Sequence, residues 1–197
     1  LGIGVELGVY KEWDRFSFGA AWTSRQFVQQ YKDYEDLIKW NLDIPEKIQV
    51  GVAWKVTDKL RLLADYKFQK WSAIKQFGEP TIKGGLGWND QNIYKFGAIY
   101  NLNDNWILRA GYSGGNPAVD EEHVFANILT PAIPKEHATL GFSRRLTDHS
   151  DVHFAWTHTF PAESTDNGKG DIFSKLGRGS SVEYKEDAYT IQYTYRF

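Results

Sequence analysis

The eleven residues Asp187–Phe197, DAYTIQYTYRF, decide the fold. Tyr189, Ile191, Tyr193, Tyr195 and Phe197 occupy every second position, and Ala188, Thr190, Gln192, Thr194 and Arg196 lie between them. A strand sends successive side chains to opposite faces, so this segment has an apolar, mostly aromatic face and a polar face. In a soluble sandwich the apolar face looks into a core. In a membrane barrel it looks into lipid, and the polar face lines the lumen.

The same alternation recurs in nine stretches. Ile3–Val9, Phe16–Trp22, Trp40–Val56, Leu60–Phe68, Tyr94–Tyr100, Trp106–Tyr112, Ala138–Phe142 and Val152–Trp156 precede the terminal one. Pro45 interrupts the third, where a ladder donor is missing and a kink or bulge is expected. Short turns at Lys11–Asp14, Thr57–Lys59, Asn101–Asn105 and Thr147–Asp151 alternate with long loops near 25–36, 73–91, 114–136 and 161–183. Short turns on one rim and long loops on the other are the habit of outer-membrane barrels. Aromatics gather near strand ends, with Trp13, Trp54, Tyr100, Trp106 and Tyr195 toward the short turns. Trp22, Trp40, Tyr112 and Trp156 lie toward the long loops. Amphipathic rings favour the two membrane interfaces.

Composition agrees. The 197 residues suit one domain, and a net charge of -2 offers no basic field for nucleic acid. No apolar run approaches the ~18 residues of a membrane-spanning helix. The chain has no cysteine, which removes disulfides and thiol catalysis. The expected fold is therefore all-β: a transmembrane antiparallel up-and-down β-barrel in a bacterial outer membrane, with about nine strands here. Its surroundings would be outer-membrane lipid and lipopolysaccharide. Leu1 already belongs to the alternating pattern, so residues 1–197 read as a piece that begins mid-structure. Single-chain bacterial barrels have even strand numbers, so an N-terminal part of the same barrel, or a partner, is expected to complete this one.

Three segments carry a resemblance. WNLDIPEKIQVGVAWKVTDKLRLLADYKFQKWS (Trp40–Ser72), IYKFGAIYNLNDNWILRAGYS (Ile93–Ser113) and IPKEHATLGFSRRLTDHSDVHFAWTHTF (Ile133–Phe160) resemble the C-terminal half of FadL/TodX-type outer-membrane transporters. The segments after Pro45 and Pro134, the Asp104-Asn105-Trp106 turn, Trp71-Ser72 and terminal Phe197 recur in the same order. The resemblance implies a fourteen-stranded barrel plugged by an N-terminal hatch, with passive uptake of long-chain fatty acids or aromatic hydrocarbons. The hatch and early strands would lie outside these residues. The alternatives are an outer-membrane barrel with another role, such as a lipid-acting hydrolase or an adhesin, and a soluble lipid-binding β-barrel.

A hydrophobic ligand needs apolar surface on a face that is otherwise polar. Leu63, Trp71, Ile93, Ile99 and Ile107 are the apolar exceptions on the lumen parity, either as ligand contacts or as packing against a plug. Phe27, Val28, Tyr31 and Tyr34 fall at partly helical spacing in the first long loop, where the resemblance implies a hydrophobic landing groove. Phe125, Ile128 and Leu129 offer a similar cap. Lys83 lies close to the place where the resembled family carries a ligand-facing lysine, against the alternative of a solvated loop lysine. The lumen charges Arg61, Asp65, Lys67, Lys95, Arg109, Arg145 and Arg196 are expected to pair across strands. Catalysis is not expected: His153 and His158 fall on opposite faces, and no nucleophile elbow or zinc spacing appears. Neither a metal nor a cofactor is expected.

Overall fold

The computed structural model describes residues 1–29 and 41–197. Two short strands, β1 (Gly2–Ile3) and β4 (Phe27–Val28), pair apart from the main sheet. That sheet is an antiparallel meander of nine strands: β2 (Glu6–Glu12), β3 (Phe16–Thr23), β5 (Lys47–Lys55), β6 (Leu60–Gln69), β7 (Gln91–Asn103), β8 (Trp106–Gly115), β9 (Glu136–Thr147), β10 (Ser150–Thr165) and β11 (Ser181–Tyr195). Each strand pairs with its neighbours in chain order, and β2 and β11 form the two edges.

Register turns nine alternating strands into two faces. Residues directly opposite each other share a face, and one lateral row reads Trp54, Leu62, Ala98, Ala110, Leu140, Trp156. The row behind it reads Gly51, Asp65, Lys95, Ser113, His137, Thr159. No strand slips by one residue through the central wall, so the apolar set stays together. The apolar face is bare. Phe96 is 58% and Ile191 is 77% exposed. A soluble protein does not leave so wide an apolar surface uncovered, whereas a bilayer covers it.

Charges on that face lie only at its margins. Lys11 and Arg144 stand at the short-turn end, and Glu136, His158 and Asp187 at the long-loop end. Each margin sets at least one of its charges against a ring. The Arg144 guanidinium lies over Trp106 at 5.2 Å, and Tyr112 donates to Glu136 at 2.7 Å. Trp156 Nε1 donates to Asp187 at 2.9 Å. Amphipathic rings at both edges of a charge-free band mark the two interfaces of a membrane.

Four expectations change in detail. The first stretch divides into β1 and β2. The third begins only at Lys47, because Pro45 is buried ahead of the strand and Ile44 bridges Gln26 instead; Trp40 lies outside the described residues. The last long loop is shorter than expected, since β10 runs through Phe160-Pro161 to Thr165. Its register jumps between Thr159 and Ala162, a bulge placed where Pro161 has no N–H to give. Phe27 and Val28 form the extended strand β4, with no helical turn.

The packed core lies outside the sheet. Among the described residues, the fully buried hydrophobic side chains are Ile74, Ala118, Val119, Val124 and Ile133, all in the long loops. Those loops also hold α1 (Lys75–Gly78), α2 (Ile172–Leu176) and 3-10 turns at Trp71–Ala73, Thr81–Lys83 and Phe125–Asn127. The molecule is therefore a two-faced wall with a small globular cap on one rim.

Candidate functional site

The polar face of the wall and the cap above it are the surfaces with chemistry. On the polar face of β6 to β9, Arg61, Lys67, Lys95, Arg109 and Arg145 stand against one carboxylate, Asp65. Cross-strand pairing, expected for these charges, is mostly not found. Asp65 lies directly opposite Lys95, but its carboxyl leans over Gly51 on the other side, where a Cβ would meet Oδ1 at 2.0 Å. Of the seven charges named from the sequence, only Arg196 forms an ion pair among the described residues, with Asp151.

The polar wall instead carries a hydrogen-bonded chain across four strands. Arg109 donates to Ser143 Oγ at 2.6 Å, and Ser143 Oγ meets His153 Nδ1 at 2.6 Å. His153 Nε2 meets Thr194 Oγ1 at 3.3 Å. Ser143 and His153 pair directly in the β9–β10 hairpin, while Arg109 and Thr194 reach in diagonally. Gly141 and Ala155 form the floor of a concavity of about 380 Å³ beside this chain, with Thr139, Thr190 and Gln192 on its walls. The sequence marks His153 and Arg109 separately, and nothing in it shows their connection through Ser143, although Ser143 and His153 stand almost equidistant from the Thr147–Ser150 turn.

The apolar lumen candidates do not form one strip. Leu63 packs over Gly97, at 3.5 Å from where a Cβ would stand. Ile99 lies between Arg61 and Arg109 in register, and Ile107 between Asn101 and Ser143. Ile93 shares a second concavity of about 290 Å³ with Lys67, Lys95, Lys135 and His137. Trp71 is not on the wall: β6 ends at Gln69, and Trp71 turns into the cap. There it meets Trp88 at 4.8 Å and Phe77 at 5.1 Å, and its Nε1 donates to Gln91 at 2.9 Å. Lys83 is exposed at the end of its 3-10 turn. Phe27 carries the Arg25 guanidinium at 5.0 Å, and Val28 N–H donates to Asp43 at 2.7 Å. Tyr31 and Tyr34 lie outside the described residues.

The cap is stitched by polar groups, with Asn127 buried and Asp120, His123 and Asp171 half-buried. Asn127 accepts from Trp88 Nε1 at 2.7 Å and donates to the Leu86 and His123 carbonyls, each at 2.8 Å. Asp171 caps α2 and also accepts from the Thr81 hydroxyl and the Ile82 N–H, joining loops ninety residues apart. Asp120 and His123 form an ion pair at 2.7 Å. Partial burial pushes the Asp120 carboxyl up, but hydrogen bonds from His123, Asn89 and the Glu122 N–H outweigh it and hold the group at about 2. The hydrogen bond to Asp120 raises His123 above its ordinary value, against the opposing effect of burial.

A charge-free apolar band between aromatic margins, backed by a polar wall and capped on the long-loop rim, defines the wall of a transmembrane β-barrel. Comparison with known proteins places it further. Residues 8–197 match the profile of the outer membrane protein transport proteins (OMPP1/FadL/TodX), and the chain belongs to that family, in the outer membrane. It is 22% identical over 163 residues to a 47 kDa outer membrane protein of Pasteurella multocida (strain Pm70), covering 80% of this chain and 36% of that one. A FadL homologue of Pseudomonas aeruginosa superposes with a TM-score of 0.64 at 16% identity, covering 98% of this chain and 52% of that one. The Pseudomonas putida toluene transporter TodX gives 0.63 at 17% identity, covering 100% and 50%. The chain thus spans about half the length of these solved relatives and about a third of the Pasteurella protein.

Proposed function

We propose that residues 1–197 are the C-terminal part of one outer-membrane barrel, completed by an N-terminal part of the same barrel, that admits hydrophobic molecules without energy input. Long-chain fatty acids and aromatic hydrocarbons are the substrate classes in view. The observation that carries this reading is the polar face: concave, unevenly charged and interrupted by Leu63, Ile93, Ile99 and Ile107. Such a wall gives a hydrophobic molecule several partial contacts and no tight trap, which suits passage better than storage. The outer apolar face meets lipid, and the cap rim meets lipopolysaccharide. The test is uptake of labelled toluene and labelled oleate by cells carrying the full-length protein or lacking it. Faster entry of either compound with the protein supports the reading; equal entry of both with and without it refutes it.

A further inference from the structure

One cation stands on the lipid side of the wall without a carboxylate to answer it. Arg144 lies on the outer face of β9 at the short-turn end, exposed, and forms no ion pair among the described residues. At the opposite margin the carboxylates are taken up by rings, Glu136 by Tyr112 and Asp187 by Trp156. β9 lies two strands inside the β11 edge, so a strand completing the barrel there stands ~14 Å away and the outer face of β9 still looks into the bilayer. We infer that Arg144, seated on Trp106, is a binding site for the phosphodiester of a phospholipid in the periplasmic leaflet.

The place of the cation selects the ligand. Short turns face the periplasm in bacterial outer-membrane barrels. The leaflet on that side is built of phospholipid, so the acceptor beside this margin is a phosphodiester. A guanidinium can match two phosphate oxygens with parallel N–H groups while one of its faces stacks on an aromatic ring. Trp106 stands directly opposite Arg144 in the β8–β9 register, and the guanidinium carbon lies 5.2 Å from the ring centre. The ring takes one face of the fork and leaves its edge, where the N–H groups lie, for the phosphate. Trp106 also begins a run of rings on the lipid side, with Phe142 at 5.5 Å from it and Phe154 at 5.5 Å from Phe142. These rings give the first methylenes of an acyl chain an apolar surface. Four residues further along β8, ~13 Å toward the other margin, Ala110 stands beside Ala98 in a row flanked by Leu62 and Leu140. Two alanines between bulkier leucines make a shallow trough on the same strand as Trp106, where the chain can continue.

The experiment is equilibrium binding of radiolabelled dioleoylphosphatidylglycerol, dioleoylglycerol and lipid A to the full-length protein immobilised in detergent. It compares the native chain with Arg144→Gln, Arg144→Lys, Trp106→Leu and Arg145→Gln. Arg145 follows Arg144 in the chain but lies on the polar face, so its variant controls for net charge. Phosphatidylglycerol should bind about fivefold or more weakly in Arg144→Gln, less so in Arg144→Lys, and about two- to fivefold more weakly in Trp106→Leu. Arg145→Gln should leave it unchanged within about twofold. Dioleoylglycerol, with the same chains and no phosphate, should bind the native chain and Arg144→Gln alike. Heat-modifiable electrophoretic mobility shows that each variant has formed its barrel. Unaltered phosphatidylglycerol binding in a folded Arg144→Gln protein would overturn the assignment, as would an equal loss in Arg145→Gln or an equal loss of dioleoylglycerol. Lipid A that binds more tightly than phosphatidylglycerol and loses that advantage in Arg144→Gln would also overturn it, by giving the site to lipopolysaccharide.

Discussion

Asp65 and Lys95 stand directly opposite each other on β6 and β7, yet the Asp65 carboxyl lies over Gly51 on β5 and forms no ion pair with Lys95. The missing side chain at residue 51 decides this arrangement. Gly51→Ala places a Cβ at 2.0 Å from Asp65 Oδ1, and the flexible carboxylate moves aside at little cost. Its nearest destination is Lys95. The expected result is a new Asp65–Lys95 contact with barrel stability changed by less than about 1 kcal/mol. A crystal structure of the variant, with urea denaturation, checks both parts.

The apolar band predicts where charge is forbidden. Phe96 and Leu140 lie on it away from the marginal charges. Phe96→Lys or Leu140→Arg should cost about 2–4 kcal/mol if the site is near the bilayer midplane. The same residue types at Ser113 or Thr139, on the polar face, should cost much less. Folding titrations into lipid vesicles give the comparison.

Asn127 is the cap's central polar group. Asn127→Leu leaves Trp88 Nε1 and the Leu86 and His123 carbonyls without their partner, and Asn127→Asp restores only an acceptor. Each orphaned buried group costs about 1–3 kcal/mol. Amide exchange in residues 117–133 should rise about tenfold or more in the leucine variant, while heat-modifiable mobility of the barrel stays native.

The Asp120–His123 pair gives the cap a pH window. His123 has a raised folded value, so its contribution is complete below the unfolded value and is lost as pH rises through the folded one. Asp120 is lowered to about 2, so its contribution is present above its unfolded value and is lost as pH falls toward 2. Both groups are partly exposed, which leaves each effect on the order of 1 kcal/mol after solvent screening. Protection factors in the cap should therefore decline at alkaline and at strongly acidic pH. His123→Gln should abolish the alkaline decline.

What the sequence displayed depended on periodicity. Phe96, Leu140 and Phe154 announce their face because their neighbours in the chain are polar or small, and hairpins with short turns fix which strands pair. Nothing periodic marks the contact between Thr81 and Asp171, or the burial of Asn127 under Trp88. Those depend on long loops folding against one another. Trp71 followed the lumen parity of β6, but the strand stopped before reaching it, so parity no longer applied. Side-chain direction was equally hidden. Opposite charges at Asp65 and Lys95 read as a pair until the space above Gly51 is taken into account.

The central claim is that one face of this sheet meets lipid and the other lines the lumen. Residues 1–197 contain no cysteine, so once any cysteine elsewhere in the protein is replaced by serine, single cysteines introduced from residue 93 to residue 100 report without background. The most direct measurement attaches a spin label to each in the full-length protein in vesicles and compares collision with oxygen and with a water-soluble nickel complex. The predicted result is a period of two. Labels at 94, 96, 98 and 100 should favour oxygen from the bilayer, and labels at 93, 95, 97 and 99 should favour the aqueous complex. The opposite phase, or no alternation along β7, would contradict the assignment of both faces.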